Sequence, residues 1–253
     1  MTKLRLLSLF AGIGGFDLGA EMTGRFETVA FCEINPFARA VLAKHWPDVP
    51  CFPDVTKLTK DQINGSIDAI CAGFPCQDLS FAGKGAGIEG ARSGLWSEVV
   101  RLVSEIRPAI VMLENVPAIL VRGLGRVLSD LAKIGYNAFW DCIRASDLGA
   151  WHRRDRWFLV AYPQCERGCQ GLSEEQILGK QNVSGPSPRV FEKWPGRSNL
   201  PAPTLCGTGD GVPNRTHRLA ALGNAIVPLW AFLVSKVAIA IYDQQEALRQ
   251  MGG

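Results

Sequence analysis

The tetrapeptide Phe74-Pro75-Cys76-Gln77 sets a thiol beside a rigid proline. It follows an apolar, strand-like run from Ile67 to Gly73, and it opens a segment carrying Gly83, Gly85, Gly87, Gly90 and Gly94. A cysteine at the carboxyl end of a strand, ahead of a flexible loop, is placed to act as a nucleophile beneath a lid. A second apolar run, Ala109 to Val116, carries Glu114-Asn115 near its end. One strand end thus offers a thiol and another a carboxyl group. That pairing, behind a glycine-rich N-terminal turn, points to covalent chemistry on a heterocycle with a nucleotide-like cofactor.

A third cluster lies nearer the start of the chain. Phe10-Ala11-Gly12-Ile13-Gly14-Gly15 follows the first apolar run and opens a helical pattern. Glycines at such a turn let the backbone bend sharply and come close to a ligand. The dinucleotide spacing Gly-x-Gly-x-x-Gly is not met, because position 17 is Asp. An uncharged or zwitterionic nucleoside is therefore expected there, not a pyrophosphate. Glu33, 21 residues after Gly12, falls at the end of the second strand pattern. An acid there can accept hydrogen bonds from both ribose hydroxyls. Asp54 is a candidate acceptor for an adenine amino group, or a turn residue ahead of Thr56 and Lys57.

The elements that must position these residues read as an α/β fold. Strand patterns cover Leu4 to Phe10, Thr28 to Glu33, Ile67 to Gly73, Ala109 to Glu114, Tyr136 to Ala145 and Arg156 to Ala161, with a weaker element before the third of these. Helical spacing covers Pro36–His45, Leu95–Ile106, Gly123–Ile134 and Leu219–Tyr242. Near-continuous apolar strands alternating with helices predict a mostly parallel sheet covered on both faces. Ligands of such sheets bind beyond the carboxyl ends of the strands, where Gly12, Glu33, Cys76 and Glu114 all fall. From Pro163 to His217 the chain is rich in Gly, Pro, Ser, Asn and Gln, with little periodicity. The expected organisation is a catalytic and cofactor-binding domain over 1–162, a small irregular region over 163–219, and a returning C-terminal helix within 220–253.

Of the 253 residues, 47% are hydrophobic, so a full core is available. A net charge of +3 does not by itself announce a nucleic-acid binder. Eight cysteines and no signal-peptide pattern predict a reducing, cytoplasmic setting without a disulfide framework. Cys32, Cys71 and Cys142 read as small core residues. The apolar stretch 225–242, interrupted by Pro228, Ser235 and Lys236, reads as a buried helix and not as a membrane span.

Taken in order, these segments resemble the DNA (cytosine-5)-methyltransferases. The markers are Phe10 to Gly15, Glu33, Asp54, Gly73-Phe74-Pro75-Cys76-Gln77-Asp78-Leu79-Ser80, Glu114-Asn115-Val116, Arg153-Arg154-Asp155-Arg156 and Gly223-Asn224-Ala225-Ile226-Val227-Pro228. The resemblance covers nearly the whole chain. It implies a Rossmann-like fold dependent on S-adenosylmethionine, double-stranded DNA as partner, and a target cytosine rotated out of the duplex. Phe10, Gly12, Ile13, Gly14, Glu33, Ile34, Asp54, Val55, Pro75, Leu95, Asn224 and Ile226 would line the cofactor site, and the C-terminal helix would pack back beside the first strand. Cys76 would add to carbon 6 of the ring. Glu114 would bind N3 in protonated form, which requires burial to raise its pKa. Arg154 and Arg156, alternating along a strand start, would complete the catalytic set, with Arg154 on the O2 of the base.

One departure from the family pattern is Trp151-His152 where Pro-Gln precedes the arginines in relatives. The loop Gln77–Trp96 would close over the flipped base, with Lys84 and Arg92 available to phosphates and Phe81 or a residue of 163–219 filling the vacated stack. Arg189, Lys193, Arg197, Arg215 and Arg218 are the candidate DNA-reading cations. Cys165, Cys169, Cys206 and His217 are too scattered to make zinc the expectation, and no metal is expected. A monomer, with a restriction endonuclease as companion system, is the expected assembly. The rival enzyme is an RNA cytosine methyltransferase with the same machinery, and the rival of another class is a silent DNA-binding protein on the same fold.

Overall fold

The computed structural model describes residues 2–75, 94–148, 154–164, 216 and 225–251. Seven strands form one sheet in the order β3-β2-β1-β4-β5-β7-β6. The strands are β1 (Leu4–Leu9), β2 (Phe26–Cys32), β3 (Cys51–Phe52), β4 (Ala69–Ala72), β5 (Ile110–Asn115), β6 (Tyr136–Arg144) and β7 (Asp155–Pro163). β1 to β5 pair in parallel, and β7 runs antiparallel between β5 and β6. The strand order reverses between β1 and β4, which opens a crevice beyond their carboxyl ends. The glycine turn leaves β1 there, and Phe74-Pro75 leaves β4 beside it.

Alternation along the strands splits the core in two. On one face Leu7, Leu9, Ile70, Val111 and Leu113 meet Trp96, Leu102 and Val103 of α3 (Gly94–Ile106) and Val127 and Leu131 of α5 (Leu124–Lys133). On the other, Leu6, Cys71 and Met112 meet Phe16 and Ala20 of α1 (Gly15–Glu21) and Trp230, Ala231 and Val234 of α6 (Pro228–Met251). Two further helices, α2 (Pro36–His45) and α4 (Ile119–Arg122), sit beyond β2 and β5.

α6 runs from Pro228 to Met251, and residues 219–224 of the expected helix lie outside the described residues. Proline favours the first helical position, and residues 225–227 ahead of it are not helical. The helix packs chiefly on α1, β5 and β7 and shares its core with Leu4 and Leu6 of β1. Gly19 permits the close approach: a Cβ there would stand 2.1 Å from the Pro228 carbonyl oxygen. Boundaries elsewhere shift by a few residues. β4 is trimmed to Ala69–Ala72, and β2 starts at Phe26. Among the described residues no helix is long and apolar enough to cross a membrane.

Candidate active site

The turn after β1 is shaped by left-handed backbone. Gly12 has φ 55° and Gly14 φ 83°, and Phe10 shares the region at φ 54°. At Gly14 any side chain is doubly excluded, since a Cβ would also lie 2.5 Å from the Trp46 ring. Gly15 is as tight against residue 226: a Cβ there would come within 2.5 Å of the Ile226 carbonyl oxygen. The C-terminal segment thus closes on the glycine turn, as the sequence implied for Ile226. Asn224 lies outside the described residues.

Glu33 stands at the end of β2 with both oxygens oriented. Oε2 accepts from the Gly12 amide at 2.8 Å, and Oε1 from the Asn35 amide at 2.8 Å. Each oxygen keeps a lone pair for a hydroxyl group. Beside it Ile34 is 77% exposed, an apolar surface bare of protein cover. Asp54 is hydrogen-bonded within its own turn. Its Oδ1 accepts from the Thr56 amide (3.0 Å) and hydroxyl (2.7 Å), and these bonds hold its pKa below the usual carboxylate value. Val55 points into the core and is 5% exposed, so it offers a ligand its backbone and not its side chain. Leu95 is half-buried at the start of α3, and Pro75 is exposed.

At the other side of the crevice, β4 and β5 are locked together at their ends. Asn115, 4% exposed, donates from Nδ2 to the Phe74 carbonyl at 2.9 Å and accepts from the Val116 amide at 2.8 Å. Phe74 is buried against Trp96, with ring centroids 5.0 Å apart. The segment leading into Cys76 is therefore fixed up to Pro75. Cys76 and the loop to residue 93 lie outside the described residues.

Glu114 shares the face of Ile110 and Met112. Its Oε1 lies 2.8 Å from Arg156 Nε, with each side chain 17% exposed. The antiparallel pairing makes this contact: Glu114 registers with Phe158, and Arg156 lies two residues earlier on the same face of β7. Oε2 faces the start of the cysteine segment, 3.2 Å from where a Cβ on Gly73 would sit. Burial pushes the Glu114 pKa up, against the opposing pull of Arg156 and then Arg154. Arg154, half-buried just before β7, is pushed down by its own burial and by Arg156. A proton on Glu114 has its natural place on Oε2, because Oε1 is engaged by the guanidinium. Trp151, His152 and Arg153 lie outside the described residues.

Between the glycine turn and Glu114 is a cavity of about 60 Å³, lined by Ser8, Phe10, Gly12, Cys71, Gly73 and Glu114 among others. Among the described residues no group of three or more His, Cys, Asp or Glu side chains is arranged to hold a metal. Cys165, Cys169, Cys206 and His217 are not described.

Sequence reasoning assigned no separate task to Asn115. Its place directly after Glu114 was visible, but its bond to Phe74 follows from β4 and β5 being neighbours. It also passed over Asp17, which is fully buried.

The switch point of the sheet thus lies between the glycine turn and Phe74-Pro75, with the part-buried Glu114–Arg156 pair beside it. The sequence profile of the C-5 cytosine-specific DNA methylases matches residues 4–190, and the chain belongs to that family. It is 44% identical over 160 residues to the Type II methyltransferase M.CviJI of Paramecium bursaria Chlorella virus IL3A, covering 63% of this chain and 43% of that protein. It is 34% identical over 229 residues to the Type II methyltransferase M2.BsuMI of Bacillus subtilis strain 168, covering 83% of this chain and 58% of that one. The chain thus spans about half the length of these curated relatives. The fold matches that of a Spodoptera frugiperda DNMT2 mutant with a TM-score of 0.56 at 20% identity, over 65% of this chain and 51% of that one.

Proposed function

We propose that the chain methylates carbon 5 of cytosine in a short, specific duplex DNA sequence, using S-adenosylmethionine, base flipping and a transient Cys76–C6 bond. The observation that carries this reading is the part-buried Glu114–Arg156 pair, whose second carboxyl oxygen faces the segment that leads into Cys76.

The residues fit the cofactor. Glu33 is oriented with acceptor capacity to spare for ribose hydroxyls, and exposed Ile34 offers an apolar surface for a purine ring. Phe10, Gly12, Ile13, Gly14, Pro75, Leu95, Asn224 and Ile226 would surround the remainder, with Asp54 and Val55 at the adenine edge. The enclosed 60 Å³ suits one end of such a molecule, and the nucleoside would lie over the open surface beside Glu33. When bound, the cofactor supplies an electrophilic methyl group.

The chain's own residues prepare the base to receive it. The Cys76 thiolate bonds to carbon 6, which breaks the 5,6 double bond and places the electron pair on carbon 5. Glu114 Oε2 holds a proton at N3, neutralising charge that the addition drives onto the ring. Arg156 fixes the Glu114 carboxyl group, and Arg154 would hydrogen-bond the O2 of the base. After methylation, loss of the carbon 5 proton expels Cys76 and restores the ring. The region 163–219 would read the DNA site, and the enzyme would protect that site from a companion restriction endonuclease.

The test is transfer of tritium from labelled S-adenosylmethionine to duplex DNA and to tRNA, followed by bisulfite sequencing of DNA from expressing cells. Label in DNA, with one short sequence context modified, is the expected result. Label confined to RNA, or absent from both, overturns the proposal.

A further inference from the structure

Beneath the glycine turn lies a polar cluster that the proposed chemistry does not use. Asp17, in the first turn of α1, is 0% exposed. Its Oδ2 accepts from the Ser8 hydroxyl of β1 at 3.0 Å, and its Oδ1 from the Thr28 hydroxyl of β2 at 3.3 Å. The chain continues: the Cys71 thiol of β4 donates to Ser8 Oγ at 3.3 Å. Ser8 and Cys71 are register partners on neighbouring strands. Both also line the 60 Å³ cavity together with Gly12 and Glu114. A buried carboxyl group is costly unless it is hydrogen-bonded for a purpose, so its retention under a ligand cavity calls for a role.

We propose that Asp17 is a positioning residue for the cofactor, which through Ser8 and Cys71 fixes the floor of the cavity and through Thr28 ties the glycine turn to the strand carrying Glu33. The inference rests on the cofactor reading above. Ser8 and Asp17 flank the turn, one at each end, so their bond staples its two arms together. Thr28 extends the staple to β2, whose end presents Glu33 to the Gly12 amide. Loss of the carboxyl group would leave two buried hydroxyls short of an acceptor and free the Ser8 side chain to rotate into the cavity.

Burial raises the Asp17 pKa from 3.8 to about 7 against the pull of its donors. The one other ionisable side chain of α1 acting on it is Glu21, whose charge pushes the same way, and no charged side chain of α6 acts on it. On β4 the Cys71 thiol is itself held well above its usual pKa and stays neutral. β1 and β2 face Asp17 with hydroxyls. A ligand in the cavity removes water from around Ser8, which lines it and donates to Asp17, and so disfavours the charged carboxylate behind it. By linkage, a ligand without a sulfonium charge must then bind less tightly as pH rises through about 7.

The experiment measures the Kd of S-adenosylhomocysteine by calorimetry from pH 6 to 8, with thermal unfolding of each protein alongside. Wild type should weaken across that range. Asp17→Asn, which keeps one acceptor oxygen and, like the neutral acid, offers a donor at the other position, should bind within about twofold of wild type at pH 6 and show a flat profile. Asp17→Ala should weaken binding about tenfold, and Ser8→Ala, which cuts the link while keeping the carboxyl group, about threefold or more. A residue that merely holds the fold together would shift unfolding temperature in Ser8→Ala and leave Kd unchanged. Wild-type affinity in folded Ser8→Ala, or a pH profile that persists in Asp17→Asn, overturns the inference alone. No binding by wild type overturns the cofactor reading and this inference with it.

Discussion

At one side of the crevice Glu33 is oriented by main-chain amides, those of Gly12 and Asn35; at the other Glu114 is oriented by a side chain, the guanidinium of Arg156. The first arrangement depends on backbone path, so it is as rigid as the turn that makes it. The second depends on charge in a poorly hydrated place, so it can answer to protonation. A group that must recognise the same hydroxyls at every turnover gains from rigidity. A group that must hold a proton against a ring gains from a setting in which its ionised form is disfavoured.

Substitutions can break that contrast, and the largest effect falls at neither carboxylate. Cys76→Ser should reduce methyl transfer to near background while DNA and cofactor binding persist, which filter binding and calorimetry would check; substantial remaining turnover would mean another nucleophile. Glu114→Gln should lower kcat by about 10²–10⁴ with an unchanged cofactor Kd. It should also remove the alkaline limb of the pH–rate profile, because the proposed mechanism uses Glu114 in its protonated form, which is lost as pH rises through its elevated pKa. Glu33→Ala should do the reverse, raising the cofactor Kd by about 10-fold or more while kcat at saturation stays within a few-fold. Asp54→Ala should change that Kd by less than about threefold, because its carboxylate is turned into its own loop by Thr56 and Lys57. Equal losses from Glu33→Ala and Asp54→Ala would show that the adenine edge matters as much as the ribose.

The parallel strands were legible because strands buried on both faces read as unbroken apolar runs, as in Ala69–Ala72 and Ile110–Leu113. The glycine turn and Glu33 were legible from spacing, since both follow strand ends. The Glu114–Arg156 contact was not, because it depends on β7 inserting antiparallel between β5 and β6. Nothing local in the arginine-rich segment announces that neighbour. Asp17 was missed because an acid in the first turn of a helix ordinarily faces water and favours the helix N-terminus. Here the side chain turns inward to two hydroxyls, Ser8 and Thr28, set on different strands. The break at residues 225–227, just ahead of Pro228, was not legible because apolar spacing runs through it; Ile226 there lies against Gly15.

The contact at Gly19 couples opposite regions of the sequence. Ala20 of α1 is buried in a core that α6 helps to close, and α6 approaches α1 at Gly19 through Pro228 and Ala231. A ribosome releasing this polypeptide must therefore extrude the far helix before the near one is properly seated. Nascent chains halted upstream of Pro228 should fail to retain a nucleoside, however complete their strands. Supplying the α6 peptide separately should restore that capacity, as in a split reporter.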